Sequence, residues 1–185
     1  MPVGRVSFLF IEPMSFPEFL DAIEEESIRR FLETTEIKDG IDEILHQKIM
    51  DLFKQYIIVG GMPSAVNAYR KEKSLLASSE IQNNLLIAMR EDFAKYGGRV
   101  PHPRLLKVLQ AVPRQLGQKF TYTQIDRDET STSLRQSLEL LVRARVCHKV
   151  QASQSTGLPL GADANEKIFK TIFIDVGLVS AMLGL

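Results

Sequence analysis

Residues 131–150 read STSLRQSLELLVRARVCHKV, and their hydrophobic period changes partway along. Leu134, Leu138, Leu141 and Val142 recur at helical spacing and make an inward stripe, which Ser131 or Thr132 can cap by accepting from the helix's first free N–H groups. Ser133, Arg135, Gln136, Glu139 and Arg143 fall on the outer face. From Val146 to Val150 the period shortens to two, the signature of a strand. A loop rich in Gly, Ser and Pro runs through Ala164, and Lys170 to Ile174 alternates as a second strand, so the two predict a hairpin. Upstream, Leu105, Leu106, Val108, Leu109, Val112 and Leu116 predict a helix from Pro103 to about Leu116, with Pro113 kinking or stopping it near its end. Phe120-Thr121-Tyr122 reads as a brief extended piece. Helix, extended piece, helix and hairpin is the order of a winged helix.

In that architecture residues 132–145 are the candidate recognition helix and residues 151–168 the candidate wing. Arg135, Arg143, Arg145 and Lys149 have the charge to neutralise phosphates, and Ser133 and Gln136 at the helix start have the chemistry for base edges. Winged helices also serve as protein contacts, and Glu139 interrupts the basic face, so DNA and a protein partner both stay open.

The remainder of the chain reads as helices. Val6 to Ile11, VSFLFI, predicts a short buried strand stopped by Glu12 and Pro13, with no partner nearby. Ser15-Phe16-Pro17-Glu18 is a capping signature, and the spacing of Phe16, Phe19, Leu20, Ile23, Phe31 and Leu32 predicts one helix behind it. Ile41, Leu45, Ile49, Leu52, Phe53 and Tyr56 predict another. It ends at Gly60-Gly61-Met62-Pro63, a sharp corner whose Pro63 opens the next helix. The corner lacks the further glycines and the Lys of a phosphate cradle. A long helix follows from Leu75 to Tyr96, stopped by Gly97-Gly98, the expected boundary between two parts.

Composition bounds the function. The 185 residues carry 23 basic and 23 acidic side chains and 44% hydrophobic residues, enough for one good core or two small ones. No window approaches the roughly 18 apolar residues of a spanning helix, and no secretory leader stands at the start, so a cytoplasmic protein without membrane contact is expected. The single Cys147 cannot form an internal disulfide. Residues 1–98 hold 11 basic and 16 acidic side chains, net −5, and residues 99–185 hold 12 and 7, net +5. A basic half suits nucleic acid or an acidic partner, unless the two halves face each other. His46, His102 and His148 lack ligand-like spacing, so no metal site is expected. Cys147 and His148 are strand neighbours that point to opposite faces, and Cys147 reads as core. Glu91 and Asp92 lie near Lys95, where ion pairing is sufficient reason for them. No catalytic constellation is read in the chain.

Five short blocks in order resemble a family. Val3-Gly4-Arg5-Val6 leads to Pro13-Met14-Ser15-Phe16 with Glu18-Phe19-Leu20, then Gly60-Gly61-Met62-Pro63, then Asp92-Phe93-Ala94-Lys95, then Asp175-Val176-Gly177-Leu178. Together they resemble the C-terminal region of prokaryotic AAA-type P-loop ATPases over essentially the whole chain. The resemblance implies the end of an ATPase core in residues 1–12, a helical lid-like domain in 13–98 and a winged-helix-like domain in 99–185: mainly α with a small β component. It implies ATP and Mg for the full-length family, whose phosphate-binding loop and acidic metal-binding strand would precede residue 1. The chain is thus expected to be a non-catalytic fragment. Members commonly continue into a region similar to restriction-endonuclease-like folds. Arg5 matches the arginine after Gly at the end of the ATPase core and, by that resemblance, can sense the γ-phosphate; a solvent-exposed role is the plainer alternative. Gly60, Gly61, Pro63, Asp92, Lys95, Asp175 and Gly177 are the structural positions of the blocks.

Three functions follow as expectations. The first is a regulatory, DNA- or partner-binding module coupled to a nucleotide-binding core. The second is a free-standing winged-helix transcription regulator with a helical dimerisation half, which requires a two-fold dimer and a palindromic site. The third is a protein interaction or homo-oligomerisation module without nucleic-acid binding.

Overall fold

The structure is a computed structural model that describes residues 7, 9–36, 38, 40–96, 100–153, 157 and 164–185. The chain is mainly helical, with a small two-stranded antiparallel sheet. In chain order the elements are α1 (Phe16–Ala22), α2 (Glu26–Thr34), α3 (Glu43–Val59), α4 (Pro63–Glu72), α5 (Leu75–Tyr96), α6 (His102–Arg114), α7 (Ser131–Arg143), β1 (Cys147–Ala152), β2 (Asn165–Phe173) and α8 (Val176–Leu183).

The expected strand at residues 6–11 is not formed by its described part. Leu9, Phe10 and Ile11 lie in no regular element and are exposed. A strand is stabilised by a ladder partner, and no described residue supplies one. Arg5 lies outside the described residues.

The helix predicted from Phe16 through Leu32 divides in two. Ser15 donates its backbone N–H and its hydroxyl to the Glu18 carboxylate at 2.7 and 2.8 Å, which fixes the start of α1 and holds the Glu18 carboxyl below the usual range. After Ala22 the chain turns through Glu24, at φ 70°. Glu25 N–H reaches back to Leu20 O and Glu24 N–H to Asp21 O, a Schellman closure with Glu in the position usually held by Gly. The turn lets Ile23 and Ile28 enter the same core as Phe19 and Leu20.

Other boundaries follow their caps. Asp42 accepts from Ile44 and Leu45 N–H and opens α3. Pro63 opens α4, as expected, and Pro113 lies one residue from the end of α6. The cap of α7 is Thr130, whose hydroxyl accepts from Ser133 N–H, rather than Ser131 or Thr132. Tyr122–Gln124 form a short 3-10 turn, and Phe120 just before it donates to Phe169 O of β2 at 2.9 Å. In the hairpin, Cys147 stands opposite Phe173, Lys149 opposite Thr171 and Val150 opposite Lys170, with an irregularity at Gln151/Ala152. Both strands reach further into the expected wing, so that residues 151, 152 and 165–168 belong to the ladder.

Two cores result. One gathers Phe19, Leu20, Ile23, Ile28, Ile49, Leu52, Val59 and Val66 from α1 to α4. The other gathers α6, α7 and the inner face of the hairpin around Leu105, Leu109, Leu134, Leu138, Leu141 and Phe169, and it takes in Leu86 from α5 and Leu178 from α8. Helix α8 packs against α3, α5 and α6, and so bridges both. No helix among the described residues is long and apolar enough to cross a membrane.

Candidate functional site

Behind the α7 and hairpin surface lies a buried junction, built where the end of α3 meets α8. The last carbonyls of a helix have no partner within it. Here Tyr56 O takes Gly60 N–H, Ile57 O takes the Ser180 hydroxyl at 2.7 Å, and Ile58 O and Val59 O share the Gln82 amide, each at 2.8 Å. Gln82 and Ser180 are 2% exposed. Neither stands out in the sequence, because a buried Gln or Ser on a helix shows no local pattern.

Two of the sequence blocks meet at the same place. Asp175 caps α8 by accepting from Leu178 N–H at 2.9 Å, and it accepts from Gly61 N–H at 2.6 Å. Burial raises its carboxyl above the usual range, against the lowering effect of N–H bonds from Gly61, Leu178 and Gly177. A Cβ on Gly60, at φ 72°, would strike this carboxylate, one on Gly61 would strike Met14 backbone, and one on Gly177 would stand 2.6 Å from Gly60 N and Val59 O. Gly60, Gly61, Asp175 and Gly177 are thus one contact, 114 residues apart in sequence. Asp92 and Lys95 form only an exposed pair at 3.3 Å on α5.

The six residues proposed for contact lie on α7, in the turn after it and on β1. Gln136 and Arg143 are exposed. Arg135 is paired with Glu139 at 3.0 Å and with Glu166 of β2 at 3.4 Å. Ser133 is engaged in the cap, where its hydroxyl accepts from Thr130 at 2.9 Å. Lys149 holds its ammonium 4.4 Å from the centre of the Phe169 ring. Arg145, at φ 58° between α7 and β1, pairs with Glu12 and stacks 4.0 Å from the Phe10 ring. Phe10 to Met14 therefore forms a strap, fixed at one end to Arg145 and at the other by Met14 N–H on Gly61 O and Tyr56 hydroxyl on Met14 O. At the entry to α7 stand Asp126, Asp128 and Glu129, of which Asp126 pairs with Lys107 and Glu129 with Arg104.

Cys147 is buried and His148 exposed, on opposite faces as their alternation requires. His102 lies 3.2 Å from Arg90 O, and His46 is exposed. Among the described residues no three His, Cys, Asp or Glu side chains group as metal ligands.

A family described as a domain of unknown function, DUF8612, matches residues 50–185. The chain belongs to that family. The DUF8612 region holds the whole Gly60, Gly61, Asp175 and Gly177 junction, α7 and the hairpin, and it leaves out α1, α2 and the strap. No curated protein and no solved structure matches the chain.

Proposed function

We propose that this DUF8612 chain is the regulatory, partner-binding portion of an AAA-type P-loop ATPase, with a winged-helix-like unit formed by α6, α7 and the hairpin, and that its partner is a protein rather than DNA. The observation that carries this reading is Arg145. Its charge is taken up by Glu12 and the Phe10 ring, so the segment leading toward the N-terminus is bonded to the turn between the candidate recognition helix and the wing. Motion of a nucleotide-binding core attached there would reach that turn directly, and the buried Asp175 junction would carry it through α8. In such a protein ATP and Mg belong to the core, and Arg5 is the residue of this chain nearest to that role by resemblance.

The charge pattern supports a protein partner. A recognition helix meets base edges with its N-terminal end. Here that end carries Asp126, Asp128 and Glu129 balanced by Lys107, Arg104 and Arg127, so it offers no net positive charge, and Arg135 is already neutralised by two carboxylates. Binding driven by phosphate contacts weakens steeply with salt. The test is a fluorescence titration with random duplex and single-stranded DNA at about 50 and about 200 mM salt, with the Arg135→Ala/Arg143→Ala double variant alongside. The reading expects no salt-sensitive binding. Salt-sensitive binding that the double variant abolishes overturns it in favour of DNA.

A further inference from the structure

We propose that the outer edge of β1, together with the outward face of the hairpin, takes an extended acidic and apolar segment of a partner protein as an added strand; this rests on the protein-partner reading above. Ile174 N–H donates to Val146 O at 2.9 Å. By the alternation of an antiparallel ladder, His148 and Val150 then turn their backbone groups toward β2, and Lys149 and Gln151 turn theirs outward. Among the described residues β1 has β2 as its sole strand neighbour, so that outward side is an open template for pairing.

Side chains on the outward face select the occupant. Val150, Ile168 and Ile172 are exposed at 49, 41 and 49%, three β-branched residues on one small face where alternation normally puts polar ones. His148 stands opposite Ile172 and Lys170 opposite Val150. No carboxylate shares the positions 148, 150, 168, 170 and 172, so the face is apolar with positive charge interleaved. Natural edges are usually blunted by charge, bulges or cover. Here the irregularity lies beyond Gln151, and the edge charge, Lys149, is drawn over the Phe169 ring at 4.4 Å. A strand whose apolar residues fall on the same face as Val150 and whose carboxylates reach Lys170 matches both the backbone and the charge.

The test uses the chain itself and a fluorescein-labelled peptide repeating Val-Thr-Glu-Thr, in which Val and Glu take turns along one face of the strand and Thr fills the other. Two controls accompany it: a Lys-for-Glu version, and a version N-methylated at alternate residues, which strips the N–H groups from one edge. Binding of the Glu peptide is expected. Weakening of about tenfold or more is expected on N-methylation, on Lys-for-Glu exchange, and in Ile172→Glu, Lys170→Glu and Gln151→Pro. The last removes an outward N–H without touching a ladder bond, and all three positions are exposed, so unchanged far-UV circular dichroism confirms the fold. Equal affinity for the N-methylated peptide, or affinity indifferent to Ile172→Glu and Lys170→Glu, overturns the proposal. Duplex DNA that displaces the peptide overturns the protein-partner reading with it, whereas the absence of both peptide and DNA binding overturns the edge alone.

Discussion

Asp175 is a carboxylate held by backbone N–H groups, and among the described residues no cation pairs with it. Replacing it with Asn keeps the shape but turns an amide N–H toward N–H donors, which is expected to cost about 2–4 kcal/mol in urea unfolding. The pH dependence has a defined sign. Burial raises this carboxyl above the usual range, so the folded chain holds the proton more tightly than the unfolded one. The stability linked to that proton is complete below the unfolded value, near 3.8, and is lost as pH rises through the folded value. The gap between wild type and Asp175→Asn is therefore expected to widen as unfolding is moved from about pH 7 to about pH 4. A gap that narrows would show that the backbone bonds outweigh the burial.

At the scale of elements, α1 and α2 offer the sharpest case. Their residues fit one continuous helical stripe, and no Gly or Pro marks a break, yet the chain turns at Glu24 in a left-handed conformation. Glycine adopts that conformation without strain, so Glu24→Gly is expected to raise stability by about 1 kcal/mol in urea unfolding; a loss would mean that the Glu side chain contributes more than its backbone strain costs. What the sequence made legible was local: the capping signature at Ser15, the corner at Gly60 to Pro63, the stop near Pro113, the stripe of α7 and the alternation of the hairpin. Turn strain imposed by a distant core, as at Glu24, has no local signature. The same holds for the candidate surface. Its residues could be named from the outer face of α7, but the partners that take up Arg135 and Arg145 come from β2 and from the strap, far away in sequence. The blocks at Gly60 and Asp175 were visible one by one, and only the fold shows that they touch.

Taken whole, the molecule has two cores and a shared spine. The ion pairs between described residues lie within residues 1–98 or within 99–185, except Arg145–Glu12, so the opposite net charges of the halves do little to join them. Helices α5 and α8 and the Asp175 junction join them instead. Both cores are thus expected to unfold in one transition, with far-UV circular dichroism and Cys147 accessibility changing together in urea. In Asp175→Asn the two signals are expected to part. Coincident signals in that variant would assign the coupling to α5 and α8 alone.

Cys147 makes that comparison feasible, and it does more. It is the sole cysteine of the chain, 1% exposed beneath α7, with its thiol pushed up by burial to about 12. Thiols react as thiolates, so a disulfide reagent finds nothing to attack until the hairpin lifts away. Each labelled molecule then records one such excursion, and the rate of colour release is a stopwatch on how often the hairpin leaves its seat. The protein carries this timer without any added dye or second thiol to confuse it.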